Sequence, residues 1–149
     1  GAIAYDNLSV WSKRVTAMCD RLLRFEGTQL APGDMAAPQG AGGLLLNTMN
    51  IAEEAEEDFN AWYDREHLPA LAAVPGTLAA RRYRAGPNKA ADEEGARRYV
   101  AIYHLTTPEV TLSEAWKEAA DTPWTARMRP HFCDHIRILT RAYVRADAA

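Results

Sequence analysis

Glu66 and His67 stand side by side in the stretch Phe59-Asn60-Ala61-Trp62-Tyr63-Asp64-Arg65-Glu66-His67-Leu68-Pro69. Both residue types can trade a proton near neutral pH once their surroundings shift them. At helical spacing Ala55, Phe59, Trp62, Tyr63 and Glu66 share one stripe, so a carboxylate closes a row of aromatics and His67 lies on its flank. Pro69 disfavours α geometry at Leu68, and the helix is expected to end near His67. There the negative end of the macrodipole disfavours a charged Glu66 and favours a protonated His67. Burial against Trp62 raises the carboxyl pKa further and lowers that of the imidazole. Two such groups moved towards neutrality suit proton abstraction beside a carbonyl. Glu66 or His67 is the general base or acid, and Tyr63 orients the substrate or steadies an oxyanion. In the competing reading Glu66 turns outward or pairs with Arg81 or Arg82, which depresses its pKa, and His67 merely caps the helix.

Further polar groups fall on predicted strands. Arg82 and Arg84 share one face of theirs, with Arg81 and Tyr83 on the other. Tyr99 and Tyr103 lie together, opposite His104, and His131, His135 and Arg137 lie together on the last strand. Trp62, Arg82, Tyr103, His104, His131 and His135 are the candidate substrate-binding residues, for an apolar pocket with a few polar groups. Each also has an ordinary structural role open to it: strand tyrosine, satisfied core histidine. The parity that faces the helices is not fixed by the sequence. On a strand His131 and His135 stand about 13 Å apart at roughly 3.3 Å per residue, too far to share one zinc. No metal site is therefore expected, and Cys133, in an apolar strand, is expected to be inert. Neither a Gly-x-Gly-x-x-Gly nor a Gly-Lys-Ser/Thr signature is present, and no cofactor is expected.

The elements that must carry these groups read as follows. Leu8, Trp11, Val15, Met18, Leu22 and Phe25 make an amphipathic helix of about five turns ending at Gly27. The apolar side chains of Trp11, Val15, Met18 and Leu22 should dock it, on its own domain or on a partner subunit. Gly27 to Gly43 is rich in Gly, Ala and Pro and reads as a linker. Residues 1–43 thus form an appendage to a domain spanning 44–149. Within it Leu44–Met49, Thr77–Arg84, Tyr99–Leu105 and Phe132–Val144 read as strands. Glu53 to Asp58 supply acids to the start of the central helix. Thr111 and Glu114 have capping-box spacing for a second helix, and Thr122-Pro123 starts a short one after it. The order is βαββαβ, an α+β ferredoxin-like arrangement with a four-stranded antiparallel sheet and helices on one face.

Trp62-Tyr63-Asp64-x-Glu66-His67-x-Pro69, then Val74-Pro75-Gly76 and Arg81-Arg82-Tyr83, resembles a family of small bacterial proteins of the dimeric α/β-barrel superfamily. The likeness runs from about Leu44 to Tyr143. It implies that two protomers stack their helix-free sheet faces into a barrel, hence a homodimer. Superfamily members resembling the chain include polyketide cyclases without cofactor, muconolactone isomerases, small monooxygenases and haem-handling proteins. Composition sets further bounds. The 149 residues are 48% hydrophobic, enough for one domain with a real core. With 17 basic and 20 acidic residues there is no cationic surface for nucleic acid. Charges at Asp6, Lys13, Arg14, Asp20, Arg21 and Arg24 interrupt any leader-like run, and no stretch approaches membrane-spanning length. Two cysteines make no disulfide framework, so a cytoplasmic setting is expected. Two functions compete: an enzyme without cofactor, of isomerase, cyclase or lyase type, acting on a small aromatic or polyketide-like molecule, and a binding protein for a small apolar ligand. Haem binding or degradation stands third, since no histidine stands out as an axial ligand.

Overall fold

A computed structural model describes residues 7–20, 25–86 and 96–143. Its elements are α1 (Val10–Thr16), β1 (Gly27–Ala31), β2 (Gly43–Ile51), α2 (Glu56–Trp62), a π-helical turn (Tyr63–His67) and α3 (Leu68–Ala72). There follow β3 (Thr77–Ala85), β4 (Tyr99–Leu105), α4 (Glu114–Ala120), α5 (Pro123–Met128) and β5 (Phe132–Arg141). The strands form one antiparallel sheet in the order β1-β3-β4-β2-β5. The α+β architecture fits a ferredoxin-like fold broadly.

Among the described residues the sheet has five strands where four are expected. The fifth is β1, inside the stretch read as a linker. It pairs Gly27 with Ala85 and Gln29 with Tyr83, covering backbone groups that β3 would otherwise leave open at its edge. Glycine is needed at its start, because a Cβ on Gly27 would stand 2.3 Å from the Arg84 carbonyl oxygen. The N-terminal helix also differs. It runs for seven residues and buries none of them. Trp11 and Met18 are 70% and 71% exposed, so the expected docking on the chain's own domain is not found. Leu22 lies outside the described residues. A helix this short is marginal without a surface to pack on.

Register fixes the parity that the sequence leaves open. Leu45, Asn47 and Met49 of β2 pair with Tyr103, Ala101 and Tyr99 of β4, and Ala80 and Arg82 of β3 pair with Tyr103 and Ala101. This face meets the helices. Its Leu45, Met49, Tyr99 and Tyr103 join Phe59, Trp62, Tyr63, Leu71 and Trp116 in the core. Each large side chain so buried contributes about 1.5–3 kcal/mol. Leu46, Val100, Ile102 and His104 occupy the opposite parity.

The central helix does not stop at His67. The Leu68 N–H reaches back five residues to the Tyr63 carbonyl, and the chain continues as α3 with Pro69 in its first turn. Proline lacks the N–H that would bond Arg65, and its ring needs room beside the preceding turn. The widened turn supplies that room, and in a first turn the missing N–H costs little. The helix closes instead before Gly76, whose φ of 93° and tight approach to Val110 both call for glycine. Ser113 rather than Thr111 caps α4, accepting from the Trp116 N–H at 3.2 Å. Thr122 caps α5 as its Thr-Pro start implies. Among the described residues no helix is long and apolar enough to cross a membrane.

Candidate functional site

Between the helix-facing side of β2 and β5 and the helices above it lies a cavity of about 170 Å³. Its inner wall is Leu45, Met49, Trp62, Tyr63, Leu71 and Trp116, while Arg129, His135 and Arg137 stand at the exposed end. The widened turn sets the aromatic end. By adding a residue to one turn it brings Trp62, Tyr63 and His67 to the same wall. The His67 imidazole stacks on the Trp62 indole, 4.2 Å between centroids, and meets the Tyr63 ring edge-on at 5.1 Å.

Burial pushes the His67 pKa down to about 4, with the positive charge of Arg129 acting in the same direction. The imidazole is therefore neutral at physiological pH. Among the described residues its buried Nδ1 has no hydrogen-bond partner, and neither has the buried Asn47 side-chain oxygen in the same lining. The Tyr103 ring is set edge-on to Trp116 at 5.4 Å, and its hydroxyl interacts with that of Tyr63. Burial raises the Tyr63 phenol to about 12 against the opposing charge of Arg82, and it raises Tyr103 as well, so both stay protonated. Buried polar atoms are seldom left unpaired, and those facing a cavity mark where a ligand's polar groups can bind.

The other expected site residues are placed differently. Glu66 is half-buried and accepts from the Thr122 hydroxyl, pairing with neither Arg81 nor Arg82. Thr122 also bonds Thr125 at 3.0 Å, and Thr125 accepts from the Trp62 indole N–H at 3.2 Å, so this chain fastens the π-helical turn to α5. Because the helix continues to Ala72, no macrodipole terminus acts on Glu66 or His67. Arg82 is buried among the rings of Tyr63, Tyr99 and Phe59, at 4.6, 4.9 and 5.2 Å, and donates to Asp64 at 2.9 Å and to Asn60. It fills the space under α2 and is not part of the cavity lining. His104 lies on the helix-free side, where its Nε2 accepts from Arg81 Nε at 3.2 Å.

His131 and His135 do not share a face by simple alternation. Asp134 takes a left-handed φ of 54°, and β5 slips register against β2 between Thr48 and Asn50. This bulge turns Phe132 and His135 both towards the cavity, with ring centroids 6.1 Å apart. His131 is left in the 3-10 turn before β5. Asn47, Thr125, Arg129 and Phe132 line the cavity and were not singled out from the sequence, and Arg137, noted there beside His135 but not among the binding candidates, lines it too. For Asn47 a signal existed: it is an amide in the middle of the apolar run Leu44–Met49. Among the described residues no group of three or more His, Cys, Asp or Glu could hold a metal ion. Cys19 and Cys133 are free and exposed.

No family model matches the chain, and no curated protein matches it. Among solved structures it is similar to an ethyl tert-butyl ether D (EthD) family protein from Bacillus halodurans C-125. That likeness has a TM-score of 0.40 and 12% identity, covering 68% of this chain and 99% of the other.

Proposed function

We propose that the cavity holds a small aromatic or polyketide-like molecule. On it the protein performs acid/base chemistry of the isomerase, cyclase or lyase type, with His67 as the group that exchanges the proton. The observation that carries this proposal is the His67 Nδ1, buried and unpartnered at the wall of a cavity whose other walls are mostly apolar. A cavity of 170 Å³ is close to the engineered one of about 150 Å³ that takes benzene, so one aromatic ring is the matching size. Trp62 and Phe132 give that ring aromatic side chains to pack on, and the protonated Tyr63 phenol can donate to an oxygen on which negative charge develops. Glu66, tied to Thr122, serves to hold the turn rather than to move protons. Haem is disfavoured, because the volume lies below the roughly 300 Å³ at which drug-sized ligands begin.

A second reading has its own support. An imidazole held near 4 is a weak base, which favours a binding protein in which His67 anchors the ligand without reacting. Acetophenone separates the two, since it has one ring, a carbonyl and an exchangeable methyl beside it. In heavy water the enzyme reading expects deuterium to enter that methyl faster with the protein present, by about 10²- to 10⁴-fold more than with His67→Gln. Binding without accelerated exchange selects the binding protein. No binding at all removes the site. The proposal also includes a homodimer through the helix-free sheet face, supported by half-buried Leu46, Ile102, Ile136 and Ile138 on it.

A further inference from the structure

The charge at the mouth of the cavity runs against that of the chain. The protein carries 17 basic and 20 acidic residues, yet the lining includes Arg129, His135 and Arg137 and no Asp or Glu. Arg129 is occupied by Asp121. Arg137 has no carboxylate partner among the described residues, and it is exposed on β5 beside Asn47, its register partner on β2. The Asn47 amide has an unpaired buried oxygen, and rotation of the amide can instead present its N–H₂ to an acceptor. Arg137 and Asn47, side by side in the lining, therefore offer a guanidinium fork and an amide, a donor set that fits a carboxylate. The π-helical turn adds to the lining one unpaired ring nitrogen, His67 Nδ1, which in the neutral imidazole either donates or accepts. A hydroxyl satisfies it in either tautomer. Trp62, Trp116 and Phe132 bring aromatic side chains to the same lining.

We infer that the ligand is a single-ring aromatic monoanion, with its carboxylate at Arg137 and Asn47 and a hydroxyl against His67. The inference rests on the cavity being the ligand site, as proposed above, and adds the chemical class of what enters it. Arg137 is then the residue that selects for charge. The ring gives the affinity common to acids and neutral analogues, and the guanidinium gives the preference between them.

The test is isothermal titration of the full chain at fixed ionic strength with 4-hydroxybenzoate and with 4-hydroxybenzamide, its uncharged isostere, on the wild type and on Arg137→Gln. The wild type should bind the acid more tightly than the amide. Arg137→Gln should weaken the acid about three- to tenfold and leave the amide unchanged, the range expected for a charge-assisted bond at a partly exposed site. Amide binding by the variant also reports that its cavity is intact. Equal affinity of the wild type for both, or an acid affinity untouched by Arg137→Gln, overturns the anion assignment while the cavity remains a ligand site. Binding of neither overturns this inference together with the cavity reading beneath it.

Discussion

The His67 imidazole lies on the Trp62 indole with 4.2 Å between ring centroids and 29° between planes, and both rings form the wall of one cavity. The two residues are five apart, a spacing that a regular helix does not stack. The π-helical turn makes the contact possible, and the contact helps keep His67 dry and neutral.

That neutrality has a pH signature. The native imidazole stays unprotonated down to about 4, whereas in the unfolded chain it protonates near 6.5. Between those values the unfolded state binds more protons, so stability rises with pH across the window and is lost as pH falls through it. The full effect is about 3 kcal/mol. Urea denaturation from pH 4 to 7 should show this slope, reduced in His67→Gln. A His67 resonance titrating at or above 6.5 contradicts it.

Thr122 caps α5, bonds the Thr125 hydroxyl and donates to Glu66, so Thr122→Ala removes three bonds at once. The expected loss is about 1–3 kcal/mol in chemical denaturation. Thr122→Ser, which keeps the hydroxyl, should recover most of it. Equal stability of the wild type and Thr122→Ala rules out the tether.

Arg82 is 1% exposed and fixed by three rings, Asp64 and Asn60. Lysine cannot reproduce the planar fork that reaches both acceptors while lying on the rings. Arg82→Lys should lower stability by about 2–4 kcal/mol in urea, a range that allows for the half-exposed Asp64 being screened by solvent. A loss below about 0.5 kcal/mol, the scale of an ordinary surface change, contradicts the structural role.

Stacking of the helix-free faces predicts a dimer. Light scattering at micromolar concentration should give twice the 16.5 kDa chain mass, and Ile102→Asp should shift it towards the monomer. A monomeric wild type removes the dimer from the proposal.

Much of this architecture is legible in the sequence because it is written in period. Four strands, the central helix and the Thr122-Pro123 start follow from alternation, spacing and capping. What escapes has no such signature. Gly27–Ala31 is a strand because β3 has an open edge, and its own composition says loop. Pro69 marks a boundary by local rules, yet a widened turn lets the helix pass it. The site suffers most from such single-residue shifts. Trp62, Tyr63 and His67 reach the cavity through the widened turn, and His135 reaches it through the bulge at Asp134, a residue type that enters left-handed geometry only occasionally. Glu66, Arg82, Tyr103, His104 and His131 carry suitable chemistry but belong to the tether, the packing under α2, the core, the far face and the preceding turn.

The claim on which the rest depends is that the cavity at His67 and Trp62 receives a small aromatic molecule. Acetophenone titrated into isotopically labelled protein, followed by the His67 ring and Trp62 indole resonances, tests it most directly. The account predicts that these two move together and saturate, while His104 on the opposite sheet face stays still. Resonances of His67 and Trp62 that do not respond, or a saturable response centred on His104, would contradict it.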